Sequence, residues 1–239
     1  MDSLNNKTVV ITGASRGIGR AIALAMQVQG TRLALIARTE SELLSLQQEI
    51  KSNGNQVLIF TGDISNETFV QESIDEVIRQ FGCIDILINN AGMGIFKPAE
   101  DISLEEWNQV FDSNTKGSFL MSKAVIPILK KQSAGHIINI ASDVAKRVFA
   151  GGALYCASKY AQDAFSMAIR KELRPFKVKV SVVYSGLVDS YFHAEPQGDS
   201  SHHDWLKNED MANAIVYIAA QPAHVVIDEL MIHPISQDY

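Results

Sequence analysis

Thr8-Val9-Val10-Ile11-Thr12-Gly13-Ala14-Ser15-Arg16-Gly17-Ile18-Gly19 decides the architecture. The short apolar run, largely β-branched, is a buried-strand signal. Glycines follow at once at positions 13, 17 and 19. Beyond them Ala21, Ile22, Leu24, Ala25 and Met26 give helix composition as far as Gln29, and Gly30 ends the run. A strand, a glycine-rich turn and a helix, in that order, suit a pyrophosphate. Glycine lets the backbone approach the anion, and the helix start offers free N–H groups and a positive dipole end. The spacing Gly13-x3-Gly17-x-Gly19 is not G-x-G-x-x-G, but the physics is similar.

The same alternation continues down the chain. Leu33-Ala34-Leu35-Ile36 reads as a second strand. Residues 40–52 read as an amphipathic helix with Leu43, Leu44, Leu46 and Ile50 inward and Gly54 just past its end. Val57-Leu58-Ile59-Phe60 is a third strand; Phe69, Ile74, Val77, Ile78 and Phe81 mark a helix closed by Gly82. Residues 84–88 form a fourth strand ending in Asn89-Asn90-Ala91-Gly92. Ser103-Leu104-Glu105-Glu106 is a capping-box pattern, and a long helix over about 114–131 tolerates Pro127. His136-Ile137-Ile138-Asn139-Ile140 is the fifth strand, and a helix carrying Tyr155 and Lys159 runs to about Arg174, before Pro175. Residues 178–183 make the sixth strand, 187–208 a loop, 210–221 a helix and 229–232 a seventh strand. Fully apolar strands alternating with helices imply a doubly wound (Rossmann) α/β fold. The expectation is one domain over residues 1–239, with a seven-stranded parallel sheet in the order 3-2-1-4-5-6-7 and helices on both faces.

Composition removes several functional classes. The 239 residues can bury a full core, and 46% hydrophobic with 20% charged residues describes an ordinary globular chain. A net charge of −6 without a basic run argues against nucleic-acid binding. Cys83 and Cys156 form no disulfide or metal pattern. The first residues lack a signal-peptide layout, and no apolar run approaches the ~18 residues that span a bilayer. A soluble cytoplasmic protein is expected. His193, His202 and His203 have nothing that fixes convergent ligand geometry, so no metal is expected and they read as part of a substrate lid.

Tyr155-Cys156-Ala157-Ser158-Lys159 carries the chemistry. Residues four apart share one face of a helix. Free Tyr and Lys titrate at about 10 and about 10.4. Held together, the cation should favour phenolate and lower the Tyr155 pKa, making the phenol a proton donor to a carbonyl or an acceptor from an alcohol. Cys156 points away from its neighbours and is not read as a nucleophile. The second strand ends Ile36-Ala37-Arg38-Thr39, without the carboxylate that would bond the ribose 2′-hydroxyl of NAD. Arg38, joined by Arg16, suits a 2′-phosphate through paired hydrogen bonds, so NADP(H) is expected over NAD(H).

Taken with Asp63, Asn89-Asn90-Ala91-Gly92, Asn114 and Ser142, the glycine turn and the Tyr155/Lys159 pair resemble the short-chain dehydrogenase/reductase family over nearly the whole chain. The resemblance implies site residues. Ser142 would orient the substrate carbonyl, Tyr155 would be the general acid, and Lys159 would lower its pKa and hold the nicotinamide ribose. Asn114 would position a water in a proton relay. Gly13, Ser15, Arg16, Ile18 and Gly19 would bind cofactor, with Arg38 beside them. Asp63 and Ile64 would contact adenine, Asn90, Ala91 and Gly92 the adenine-ribose side, and Gly186, Val188 and Ser190 the nicotinamide end. Met93, Val144, Phe149, Leu154 and Phe192 are candidates for an apolar substrate pocket. Trp107 and Phe111 are read as core or subunit contact. The implied reaction is NADP(H)-linked interconversion of a ketone or aldehyde with its alcohol, in a homodimer or homotetramer. Two other readings stand beside it: a 3-oxoacyl thioester reductase and a non-catalytic NADP-sensing protein. Ser185-Gly186 replaces the family's usual Pro-Gly, which suggests a more mobile loop. The usual C-terminal Val-Asp-Gly-Gly of acyl-carrier-protein ketoreductases is absent, so a broad carbonyl reductase is the closer match.

Overall fold

The computed structural model describes residues 3–52, 54, 56–192 and 196–238. Strands β1 (Thr8–Thr12), β2 (Arg32–Ala37), β3 (Val57–Thr61), β4 (Ile86–Asn89), β5 (His136–Ile140), β6 (Lys179–Ser185) and β7 (Glu229–Ile232) form one sheet in the order β3-β2-β1-β4-β5-β6-β7. All neighbours pair in parallel. Seven strands in this order are the expected arrangement. The order reverses between β1 and β4, which opens a crevice at the carboxyl ends of those strands.

Strand residues alternate between two cores. Val9, Ile11, Leu33, Leu35, Ile86 and Ile88 pack with α1 (Gly17–Val28), α2 (Glu40–Ser52) and α7 (Asn208–Ala219). Val10, Ala34, Ile36, Leu87, Ile137 and Val180 face the opposite way, onto α3 (Glu67–Phe81), α5 (Gly117–Gln132) and α6 (Ala153–Leu173). Each such Ile or Leu contributes roughly 1.5–3 kcal/mol by leaving water. Leu44, expected inward on α2, is instead 42% exposed. It lies one residue past Leu43, about 100° around the helix.

The helix ends follow local chemistry. Asn66 Oδ1 accepts from Phe69 N at 3.1 Å to start α3, and Gly82 closes it with a φ of 78°. Ser103 and Glu106 complete the expected capping box at α4 (Leu104–Phe111). The long helix expected from residue 114 differs. A π-helical turn, Asp112–Lys116, joins α4 to α5, and Asn114 is buried within it. Such turns displace a side chain that a regular helix would leave on its surface. The strand expected over 84–88 begins and ends later, at Ile86–Asn89, and the sixth extends two residues beyond 183.

Residues 187–208 are not a bare loop. Val188 bridges to Leu206, Ser200–His202 form a 3-10 turn, and α7 begins at Asn208 rather than 210. Asp189, buried, accepts from Gly198 N at 2.8 Å, His202 Nδ1 at 3.2 Å and Lys207 Nζ at 3.2 Å. These donors, the Gly198 backbone first, hold its carboxyl below the usual range. His202 stacks on Trp205 at 3.8 Å, so this imidazole is a packing group, while His193 lies outside the described residues. Among the described residues no helix is long and apolar enough to cross a membrane, and no three His, Cys, Asp or Glu side chains are grouped to hold a metal.

Candidate active site

A cleft of about 850 Å³ runs over the carboxyl ends of β1, β2, β4, β5 and β6. Its floor is the turn between β1 and α1. Gly13 has a φ of 63°, and a Cβ there would lie 2.8 Å from the Ala91 Cα. The turn is tied to β4 by Asn90 Nδ2, which donates to Thr12 O at 3.0 Å and to Gly13 O at 3.1 Å. Thr12 Oγ1 accepts from the backbone N of Asn90 and Ala91. Thr12 was not among the expected site residues, although its place between strand and first glycine is the signal that marks it. At the start of α1, Arg16 makes no side-chain cap and no acidic residue occupies the first turn.

Gly13, Ser15, Arg16 and Ile18 line the cleft with Arg38, Asp63, Ile64, Asn90, Ala91 and Gly92. Gly186, Val188 and Ser190 line its other end. Gly19 does not line it. A Cβ at that position would meet Gly13 O, so Gly19 serves the packing of helix against turn. Arg16 and Arg38 approach from the turn and from the end of β2, and the Arg16 guanidinium sits 5.5 Å from the Tyr191 ring. The Asn208 Oδ1, buried and without a partner, lies 3.8 Å from the point a Cβ at Gly17 would occupy. Gly186 is forced by a close approach: a Cβ would clash with Gln237 Oε1, which accepts from Leu187 N at 2.8 Å.

Ser142, Tyr155 and Lys159 meet in the middle of the cleft. Ser142 follows β5, and its hydroxyl donates to Asp143 Oδ1 at 3.1 Å and Ser185 O at 3.3 Å. Lys159 Nζ donates to Ile140 O at 3.0 Å and to Gln162 Oε1 at 3.1 Å, and stands 5.9 Å from the Tyr155 ring centre. Burial draws the Lys159 pKa down to about 7. Burial also pushes the Tyr155 phenol up, with a Ser142 hydrogen bond opposing it. The expected lowering of Tyr155 by Lys159 is therefore corrected. Both groups are buried, desolvation disfavours either charge, and the amine is itself only partly charged near neutrality.

Asn114 does not line the cleft and does not touch Lys159. Its Oδ1 accepts from Met93 N at 2.8 Å, and its Nδ2 donates to Met93 O at 2.8 Å and Ser158 Oγ at 2.9 Å. The amide thus clamps the loop after β4 against α6. Its backbone carbonyl accepts from Ser118 Oγ, which accepts from Gln162 Nε2 at 2.9 Å. Hydrogen bonds thus link Lys159, Gln162, Ser118 and Asn114 in series.

Met93, Val144, Phe149 and Phe192 line the cleft, whereas Leu154 is fully buried in the core. Phe96, not expected, joins them. Its ring meets that of Tyr155 edge-on at 5.4 Å, and Phe192 lies 5.3 Å from the same ring. Asp143 and Arg147 also line this end; Arg147 Nε donates to Asp143 Oδ2 at 2.9 Å. Trp107 and Phe111 stack at 4.7 Å on α4, away from the cleft lining.

A family model described as short chain dehydrogenase matches residues 7–199. An uncharacterized oxidoreductase of Staphylococcus epidermidis is 34% identical over 235 residues, 98% of this chain and all of the relative. Another, from Staphylococcus saprophyticus, is 35% identical over 242 residues, again 98% of this chain and the whole relative. An alcohol dehydrogenase from the archaeon Thermococcus sibiricus, complexed with 5-hydroxy-NADP, superposes with a TM-score of 0.93 at 33% identity, covering 98% of this chain and 99% of that one. A metagenomic short-chain oxidoreductase in complex with NADP gives 0.87 at 31% identity, covering 99% of this chain and all of that one.

Proposed function

The chain belongs to the short-chain dehydrogenase/reductase family, and from that premise we propose that it is an NADPH-dependent reductase of ketones or aldehydes, reversible to the alcohol. The observation that carries this is the meeting of Ser142, Tyr155 and Lys159 in one cleft with the glycine turn. The cofactor assignment is supported by residues that fit it. Gly13 leaves a cradle that a Cβ would fill, the α1 start carries no side-chain cap, and Arg16 and Arg38 flank the end of β2 without a competing carboxylate. When bound, NADPH supplies the hydride. The two structural relatives above are complexes with NADP forms, which favours the same cofactor here.

In this reading Ser142 turns its hydroxyl from Asp143 to the substrate oxygen. Tyr155 holds a proton at its phenol and gives it to that oxygen as the alcohol forms. The phenol is protonated at neutral pH and so holds the proton that reduction needs, while burial, by raising its pKa, makes it a weaker acid. The Lys159 ammonium beside it would offset the negative charge left on the phenolate. The exposed Leu104, Trp107 and Phe119 on α4 and α5 support assembly into a homodimer or homotetramer.

Replacing Tyr155 tests the assignment. Tyr155→Phe should lower kcat for carbonyl reduction by at least about 100-fold, the scale of a general acid. NADPH affinity, read by fluorescence titration, should hold within about twofold. Retained turnover would overturn the role of Tyr155.

A further inference from the structure

We infer that the substrate is an uncharged aryl ketone or aldehyde, bound ring against ring beside Tyr155; this rests on the reductase reading above. Three phenylalanine rings gather around the catalytic phenol. Phe96 contacts Tyr155 edge-on at 5.4 Å and 80°, Phe192 lies 5.3 Å from Tyr155, and Phe96 spans to Phe192 at 6.2 Å and to Phe149 at 5.8 Å. These centroid separations fall in the range where aromatic pairs gain beyond simple burial. Two glycines make the room. A Cβ at Gly94 would collide with the Phe96 and Phe192 rings, and one at Gly152 with the Phe149 ring.

The cage is at the cleft rim, not in the core. Phe96 is 45% exposed and Phe149 40%, while Tyr155 beneath them is only 8% exposed. A substrate reaching the phenol has to part these rings. An aryl group replaces the contacts it breaks with equivalent ones. A carboxylate or other charged group would break them and lose its own hydration as well. The guanidinium on the same wall offers an anion little, because Arg147 is already neutralised by Asp143 through Nε at 2.9 Å and Nη2 at 2.5 Å. The cavity therefore selects for flat, apolar and neutral groups on the carbonyl carbon.

The test compares acetophenone, cyclohexyl methyl ketone and acetoacetate as substrates of the wild type and of Phe96→Ala, with NADPH binding measured on both proteins. The wild type should favour acetophenone in kcat/KM by about tenfold over the saturated ring and more over acetoacetate. Phe96→Ala should bring the aryl-to-cyclohexyl ratio to within about twofold of one, mainly through KM for acetophenone. Turnover without an aryl preference, or a preference untouched by Phe96→Ala in a protein that still binds NADPH, overturns the inference and leaves the reductase reading standing. No turnover of any ketone by NADPH-loaded wild type overturns the reductase reading, and this inference with it.

Discussion

Lys159 is an amine buried to 4% exposure and drawn to a pKa of about 7, so its charge is decided within the working pH range. Gln162 Oε1, 3.1 Å away, accepts from it and favours the charged form. If the ammonium supports proton donation by Tyr155, reduction should fall as pH rises through about 7. Gln162 then acts as a positioning residue through Lys159. A hydrogen bond to a charged group contributes about 1.5–3 kcal/mol, and one pKa unit is about 1.4 kcal/mol. Gln162→Leu should therefore move the midpoint of the kcat–pH profile down by about one to two units, and Gln162→Glu should move it up. A profile whose midpoint stays put while only stability drops would assign Gln162 to packing alone. At this scale the identities of Ser142, Tyr155 and Lys159 are legible from spacing and family resemblance, but their protonation is not. Tyr155 moves opposite to the expectation because burial, not sequence neighbours, dominates it.

Strands β5 and β6 are joined by more than their ladder. His136 and Lys179 are register partners, and His136 Nε2 lies 2.7 Å from Ser181 Oγ. Burial, with the nearby Lys179 charge, lowers His136 from 6.5 to about 3, so it stays neutral in the fold. Between those values the unfolded chain binds a proton that the folded chain refuses, so stability rises with pH there and is lost on acidification. From pH 6.5 to about pH 4 the loss approaches 3 kcal/mol at about 1.4 kcal/mol per unit. Urea midpoints should therefore fall less steeply between about pH 7 and pH 4 for His136→Gln than for the wild type. Equal slopes would remove His136 as the source. The strand itself is plain in the sequence as an apolar run. The π turn at Asp112–Lys116 is not, because no residue pattern separates it from a regular helix and the gain lies in where Asn114 points.

For the whole molecule, the proposed homodimer or homotetramer would be built on the exposed apolar residues of α4 and α5. Phe119 is 42% exposed and Trp107 40%. In sedimentation equilibrium the wild type should weigh two or four times the 26.2 kDa chain, and Phe119→Glu should shift it to the single-chain mass. An unchanged mass would place the interface elsewhere.

The sequence alone determined the doubly wound sheet, its strand order and the glycine turn that opens it. It also determined the family, because strand and helix periodicities and short motifs are local properties that survive without coordinates. Only the tertiary structure decided that Asn114 clamps Met93, that Phe96 covers Tyr155, that Gln237 reaches Gly186, and that Lys159 is drawn down while Tyr155 is pushed up. Those facts depend on atoms that lie far apart along the chain and on the water that packing excludes, and no local pattern encodes either.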